Sequence, residues 1–321
     1  MADIIDTLLL LALPASGKSE VRRYLDLMNP EECRRDFHMG ETVQLDDFPY
    51  VHLMRRVDEE LVKTGQPRVY FKGPDRSFLD TWDWGTLVEL LNEDFDDLLA
   101  KDMGRPASAA RQLFQRLDAA ARRAGAAERL GGLPDDVTSM LAEALETEAL
   151  EHLVDKQAEY PDTLDGKTVV MEFARGGADG SDMPLASPFG YGHSLRQLSP
   201  AILERAGILY IWVTPEESRR KNDDRTDPDD PGSILNHGVP IEVMMGDYGC
   251  DDMAWLVENS DREGTVRIEA HGRVFHLPVG RFDNRVDKTT FIRKDRADWT
   301  GSEVEAVHAG LKSAMDQLAG D

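Results

Sequence analysis

The hydrophobic pattern of the chain begins with an unbroken apolar run, residues 4–13 (IIDTLLLLAL), with nothing polar after Thr7. A continuous run of this length, bounded by turn residues, predicts a strand buried on both faces. Directly after it the period changes. Across 19–28 (SEVRRYLDLM), Val21, Leu25 and Met28 recur at i, i+4 and i+7, which predicts an amphipathic helix stopped by Asn29-Pro30. A weaker strand is expected at 42–45, a helix at 50–63 and a short strand at 68–71. Residues 77–160 differ in texture. They are rich in Leu, Ala, Glu, Asp and Arg, with helical periodicity over 87–99 and 107–127, and a further run at 135–159 is read with them as a helical insertion. Strand character returns at 167–173 (KTVVMEF) and 208–213 (ILYIWV). Alternation around His271-Gly272 in 265–279 predicts a hairpin, and 302–318 predicts a last amphipathic helix.

Strands separated by helices imply an α/β fold with a mainly parallel sheet. The expected organisation is a three-layer α/β core from 1–76 and 161–260. An all-helical insertion occupies 77–160, and 261–321 forms a C-terminal β-hairpin and helix appended to the core.

Between the first strand and the first helix lies Ala12-Leu13-Pro14-Ala15-Ser16-Gly17-Lys18-Ser19. A phosphate-binding loop requires a strand, a turn of converging backbone N–H groups, a Lys, a Ser or Thr, and then a helix. All are present in order. The stretch fits G-x-x-x-x-G-K-[ST] except at its first position, where Ala12 replaces Gly, which Ala tolerates only if φ is negative. The amides of Pro14, Ala15, Ser16, Gly17, Lys18 and Ser19 belong to this candidate cradle, apart from Pro14, which has no N–H. Lys18 would bridge β- and γ-oxygens, and Ser19 would offer its hydroxyl to Mg²⁺.

These residues resemble the P-loop kinases of the nucleoside and nucleotide kinase (adenylate-kinase-like) type, many of which carry a G-x-P-x-S-G-K-[ST] loop. Pro14, Ser16, Gly17, Lys18 and Ser19 match that form, and Ala12 does not. The resemblance implies a P-loop NTPase fold and an Mg²⁺-dependent ATP phosphotransferase acting on a small acceptor such as a nucleoside, a nucleotide or a similar metabolite. It suggests Asp46 or Asp47 as acceptor-binding residue or general base, and an acidic turn leading into the helix at 50–63 is the other reading of that pair. Glu172 ends a buried strand where a carboxylate would hold Mg²⁺ through water, and Arg175 would bind the acceptor or pair with Glu172. After 208–213, Thr214-Pro215-Glu216-Glu217 is a helix start. The cations that follow, Arg219, Arg220, Lys221 and Arg225, correspond to phosphate-closing lid residues, with Arg219, Arg220 and Arg225 the candidates for catalysis. A solvated face paired with Asp223, Asp224 and the acidic loop 227–230 is the alternative.

Charge narrows the partners. With 61 acidic against 37 basic residues, the net charge is −24, which argues against nucleic acid and anionic membrane. No apolar stretch reaches the roughly 18 residues that span a bilayer. Asp3 and Asp6 do not suit a secretory leader. Cys33 and Cys250, without CxxC spacing, read as reduced thiols, and a cytoplasmic protein is expected. The eight histidines show no metal spacing. His193 reads as a polar loop group, and Trp82 and Trp84 as packing. The rival functions are a nucleotide-driven ATPase or switch acting on a protein partner, and a nucleic-acid end kinase.

Overall fold

A computed structural model of the chain describes residues 4–225 and 238–320. The elements run β1 (Thr7–Leu11), α1 (Lys18–Asp26), α2 (Pro30–Phe37), β2 (Glu41–Asp46), α3 (Phe48–Lys63), α4 (Asp83–Ala100), α5 (Ala109–Ala124) and α6 (Asp135–Ala158). They continue β3 (Lys167–Phe173), α7 (Gly190–Gln197), α8 (Pro200–Leu203), β4 (Ala206–Trp212), α9 (Pro215–Arg225), α10 (Ile241–Gly246) and α11 (Met253–Glu258). The chain closes with β5 (Thr265–Ala270), β6 (Arg273–Asp283), two 3₁₀ turns and α12 (Gly301–Ala319).

The sheet has six strands in the order β2-β3-β1-β4-β6-β5, all parallel except β5, which pairs antiparallel with β6. The leucine run explains why β1 is central. Leu8 and Leu10 enter the core shared with α1, α2 and α12, while Leu9 and Leu11 enter the core shared with α4, α7 and α11. A strand apolar on both faces is stable only between two helical layers. This is an α/β architecture with a mixed, mostly parallel sheet.

Three expectations are corrected. The 265–279 hairpin is not appended to the core, because β6 lies beside β4 in parallel register, Ile208 opposite Val279, and extends the main sheet. Asn29-Pro30 does end α1, but it also starts α2: Pro30 takes the first helical position, and the Asn29 side chain accepts from Glu31 N at 2.8 Å. Residues 68–71 do not form a strand. The backbone N–H groups of Val69, Tyr70 and Phe71 donate to the fully buried Asp58 carboxylate instead of a neighbouring strand, leaving a single bridge between Phe71 and Phe78. Asp118 fixes the 129–131 turn in the same way.

The helical segment holds a core of its own, built by α3, α5, α6 and one side of α4. The other side of α4 contributes Val88, Leu91, Phe95 and Leu98 to the sheet core. One helix therefore belongs to both cores and fastens the helical unit to the sheet.

Candidate functional site

The chain order of the sheet reverses beside β1. The connection from β1 leads across β3 to β2 on one side, and the connection from β3 leads across β1 to β4 on the other. The C-terminal ends of strands at such a switch point are where open α/β sheets bind ligands. The loop from β1 to α1 lies there. Gly17 caps α1 at φ +107°, a conformation open to glycine, and Ala15 is also left-handed at +55°. Ala12 is fully buried and is not among the residues with positive φ. That is the condition under which Ala can stand in the first position.

The loop is held from outside by its carbonyls. Ser218 Oγ, on α9, donates to Pro14 O at 2.7 Å, and Asn284 Nδ2, just past β6, donates to Ser16 O at 2.7 Å. Lys18 Nζ reaches back to Ala12 O at 3.4 Å. Among the described residues, the N–H groups of Ala15, Ser16 and Gly17 donate to nothing, and the Ser16 hydroxyl is buried without a partner. Carbonyls tied outward and amides unspent, at the positive end of a helix, make a concavity suited to an anion. Thr289 completes the wall: a Cβ on Gly17 would meet Thr289 Oγ1 at 2.5 Å.

Four charged groups converge beside the loop. Asp46 and Glu172 are register neighbours at the ends of β2 and β3. Arg22 Nη1 lies 3.0 Å from Glu172 Oε2 and 3.9 Å from Asp46 Oδ2, and Lys18 Nζ is 4.0 Å from Glu172 Oε1. Arg22 was not among the residues singled out from sequence. Its signal was spacing, since it stands four residues after Lys18 on the same helix face. Asp46 Oδ1 accepts from Phe48 N at 2.8 Å. Its carboxyl is pushed up to about 7, first by its low-dielectric surroundings and then by Glu172 and Asp47, even though about 34% of the side chain reaches solvent.

Asp47 has a different task. It is buried against Arg175, Oδ2 to Nη1 at 2.7 Å, and Arg175 is itself 2% exposed. Arg175 also donates to the carbonyls of Ala174 and Trp84, with its guanidinium 5.3 Å from the Trp84 ring and 5.1 Å from Phe173. Asp47 and Arg175 thus spend their charges on each other. The suggested pairing of Arg175 with Glu172 is not formed, since Arg22 and Lys18 neighbour that carboxylate instead.

The start of α9 is as expected, with Thr214 Oγ1 accepting from Glu217 N at 3.2 Å. Its cations divide. Lys221 is buried and pairs with Asp287 at 2.8 Å. Arg220 pairs with Glu217 and Asp224 on the exposed face, the solvated alternative, and is not brought to the loop. Arg219 is half-buried, 3.5 Å from Glu216 and 4.0 Å from Asp179 in the connection between β3 and α7, with Nη1 lacking a hydrogen bond. Arg225 ends the helix, and its side chain and the acidic loop 227–230 lie outside the described residues. His193 packs edge-on against Trp82 with ring centroids 5.4 Å apart. Trp84 lies in the helical core.

Among the described residues, no three or more His, Cys, Asp or Glu side chains form a metal-ligand cluster. A divalent ion held through Ser19 and Glu172 would draw its remaining ligands from phosphate and water, the usual coordination of Mg²⁺. The Glu172 carboxylate and the Ser19 hydroxyl fit such an ion.

Comparison with known proteins finds no matching family model, no matching curated protein and no matching solved structure. Among the described residues, no helix is long and apolar enough to cross a membrane.

Proposed function

We propose that this chain is a P-loop phosphotransferase that binds ATP with Mg²⁺ in the loop 12–19 and passes the γ-phosphoryl group to a small acceptor held beside Asp46. The observation that carries this reading is the loop itself: three unspent amides and a left-handed Gly17 ahead of α1, with Lys18 as the first residue of that helix. In this reading the amides and the helix end hold the β-phosphate, and Lys18 neutralises charge between the β- and γ-oxygens.

Asp46 takes the acceptor hydroxyl's proton as the new oxygen–phosphorus bond forms and the bond from the γ-phosphorus to the β–γ bridging oxygen breaks, with ADP as the leaving group. A carboxyl near neutrality suits that step better than one at its ordinary value. Arg22 keeps Glu172 in place, and the Asp47–Arg175 pair fixes the wall next to Asp46 without touching the reacting atoms. Arg219 supplies charge to the phosphates when the donor enters. Mg²⁺ would be held by Ser19 and Glu172 and would supply neutralisation of the phosphate oxygens. Catalysis is then positioning and electrostatics, with no covalent enzyme intermediate.

The rival switch reading needs the helical unit to swing against the sheet. The sharing of α4 between both cores favours a fixed wall instead. The end-kinase reading meets the −24 charge. The test is ATP consumption across a panel of hydroxylated and phosphorylated metabolites, with Lys18→Ala as control. Acceptor-dependent turnover lost in Lys18→Ala supports the proposal. Slow hydrolysis indifferent to every acceptor refutes it in favour of a switch.

A further inference from the structure

The acceptor side contains a cation that this reading does not use. Arg55 lies on α3 eight residues beyond Asp47, about 12 Å farther along the helix axis. It is half-buried, its guanidinium stacks 4.0 Å over the Phe71 ring, and Nη1 donates to the Pro74 carbonyl. Among the described residues it forms no ion pair, in a chain with 61 acidic and 37 basic residues. Both oxygens of nearby Asp58 are occupied by backbone N–H groups. Burial acts against the Arg55 charge and lowers its pKa. Asp75 acts most strongly in favour of that charge, followed by Tyr248 and Asp58, and Arg68 opposes it, but none of these groups forms an ion pair or hydrogen bond with Arg55 among the described residues. A half-buried guanidinium whose hydrogen bond goes to a single carbonyl has donors left for an anion.

An aromatic wall connects Arg55 to the rest of the site. Phe71 stacks on Phe78 at 4.5 Å, Phe78 meets Trp84 edge-on at 4.9 Å, and Trp84 meets Tyr248 at 5.5 Å. Tyr248 is the common neighbour. Besides burial, which raises its pKa, its phenol responds to Arg175, Asp47, Asp247 and Arg55. Asp247 adds an unmet requirement: it is 5% exposed, and its Oδ2 has no hydrogen-bond partner. Arg55 and Tyr248 therefore bring a cation and a phenol to one wall, about two helical turns from the start of α3, while Asp247 Oδ2 can only accept, which suits a hydroxyl or N–H of the same ligand and not its anionic group.

We propose that this wall is a second anion subsite, one that takes an acceptor carrying a phosphate or carboxylate at the Arg55 end and the reacting hydroxyl near Asp46. The planar guanidinium fork matches either anion with two parallel hydrogen bonds. This assignment deepens the phosphotransferase reading and rests on it for the role of Asp46, while anion binding at Arg55 can be tested alone.

The test is calorimetric titration of wild type, Arg55→Gln and Lys18→Ala with inorganic phosphate, then with acetate. Wild type should bind phosphate at two sites. Arg55→Gln should lose one of them, weakened at least about tenfold, and keep the other, while Lys18→Ala should do the reverse. Acetate competing only for the Arg55 site points to a carboxylate acceptor, and failure to compete points to a phosphate. Phosphate binding by Arg55→Gln equal to wild type overturns the proposal and leaves the loop assignment intact. Lys18→Ala equal to wild type, with Arg55→Gln impaired, refutes the loop assignment and leaves this subsite standing. If Arg55→Gln does not fold, judged by circular dichroism, Arg55→Lys takes its place. It keeps the charge but not the fork and should weaken the same site about three- to tenfold, and an unchanged site would again overturn the proposal.

Discussion

Replacing Asn284 by Ala tests whether the loop is built for a ligand or is merely a turn. Asn284 is fully buried. It donates to Ser16 O at 2.7 Å, lies 3.0 Å from Thr289 Oγ1, and accepts from Lys288 N at 2.7 Å. Truncation leaves the buried Ser16 carbonyl without this donor, at a cost of about 1–3 kcal/mol. The Lys288 amide is only part-buried and can recover a water, so it adds less. The expected loss of stability is about 2–4 kcal/mol. If the bond preorganises the phosphate cradle, part of that cost returns when ATP binds, because the ligand must then order the loop. An ordering cost of about 1–3 kcal/mol weakens binding by about 5- to 100-fold. Urea denaturation measures the first quantity, and calorimetric titration with MgATP on folded protein measures the second. A variant that loses stability but binds ATP as wild type does would refute the reasoning, because Asn284 would then support the fold without shaping the cradle.

Two further outcomes are expected. The acidic limb of kcat/KM should rise with pH through about 7, because Asp46 acts in its ionised form and its carboxyl is raised to that value; Asp46→Asn should remove this limb along with most of the activity, and a profile flat from pH 6 to 8 would count against Asp46 as base. The cations of α9 should separate, with Arg219→Ala lowering kcat by about tenfold or more and Arg220→Ala, which breaks exposed pairs worth about 0.5 kcal/mol each, leaving turnover within twofold; steady-state kinetics with circular dichroism as a folding control would show equal effects if the assignment were wrong.

The parts of the fold that were legible in the sequence are those encoded locally. The leucine run, Gly17-Lys18-Ser19 and the spacing of Val21 and Leu25 describe strand, loop and helix within about twenty residues, and the structure places them as read. The helices at 83–100, 109–124 and 301–319 were equally plain because their apolar faces recur. What stayed hidden was set by distant partners. Arg22 meets Glu172 across 150 residues, and Asn284 meets Ser16 across 268. Neither contact leaves a periodic trace. The stretch 68–71 looked like a strand because its side chains suit one, but a buried carboxylate on α3 claims its amides. The Asp46-Asp47 ambiguity was likewise out of reach, since only tertiary contact reveals that one carboxylate is tied to Arg175 while the other lies beside Glu172 and Arg22.

The central claim is that a nucleoside triphosphate occupies the loop 12–19, and the most direct measurement is the affinity of wild type and Lys18→Ala for MgATP. The account predicts saturable one-to-one binding by wild type and a loss of about 3 kcal/mol in the variant, roughly a hundredfold, with the fold unchanged by circular dichroism. Wild-type protein that binds no MgATP, or a Lys18→Ala variant that binds it equally well, would contradict it.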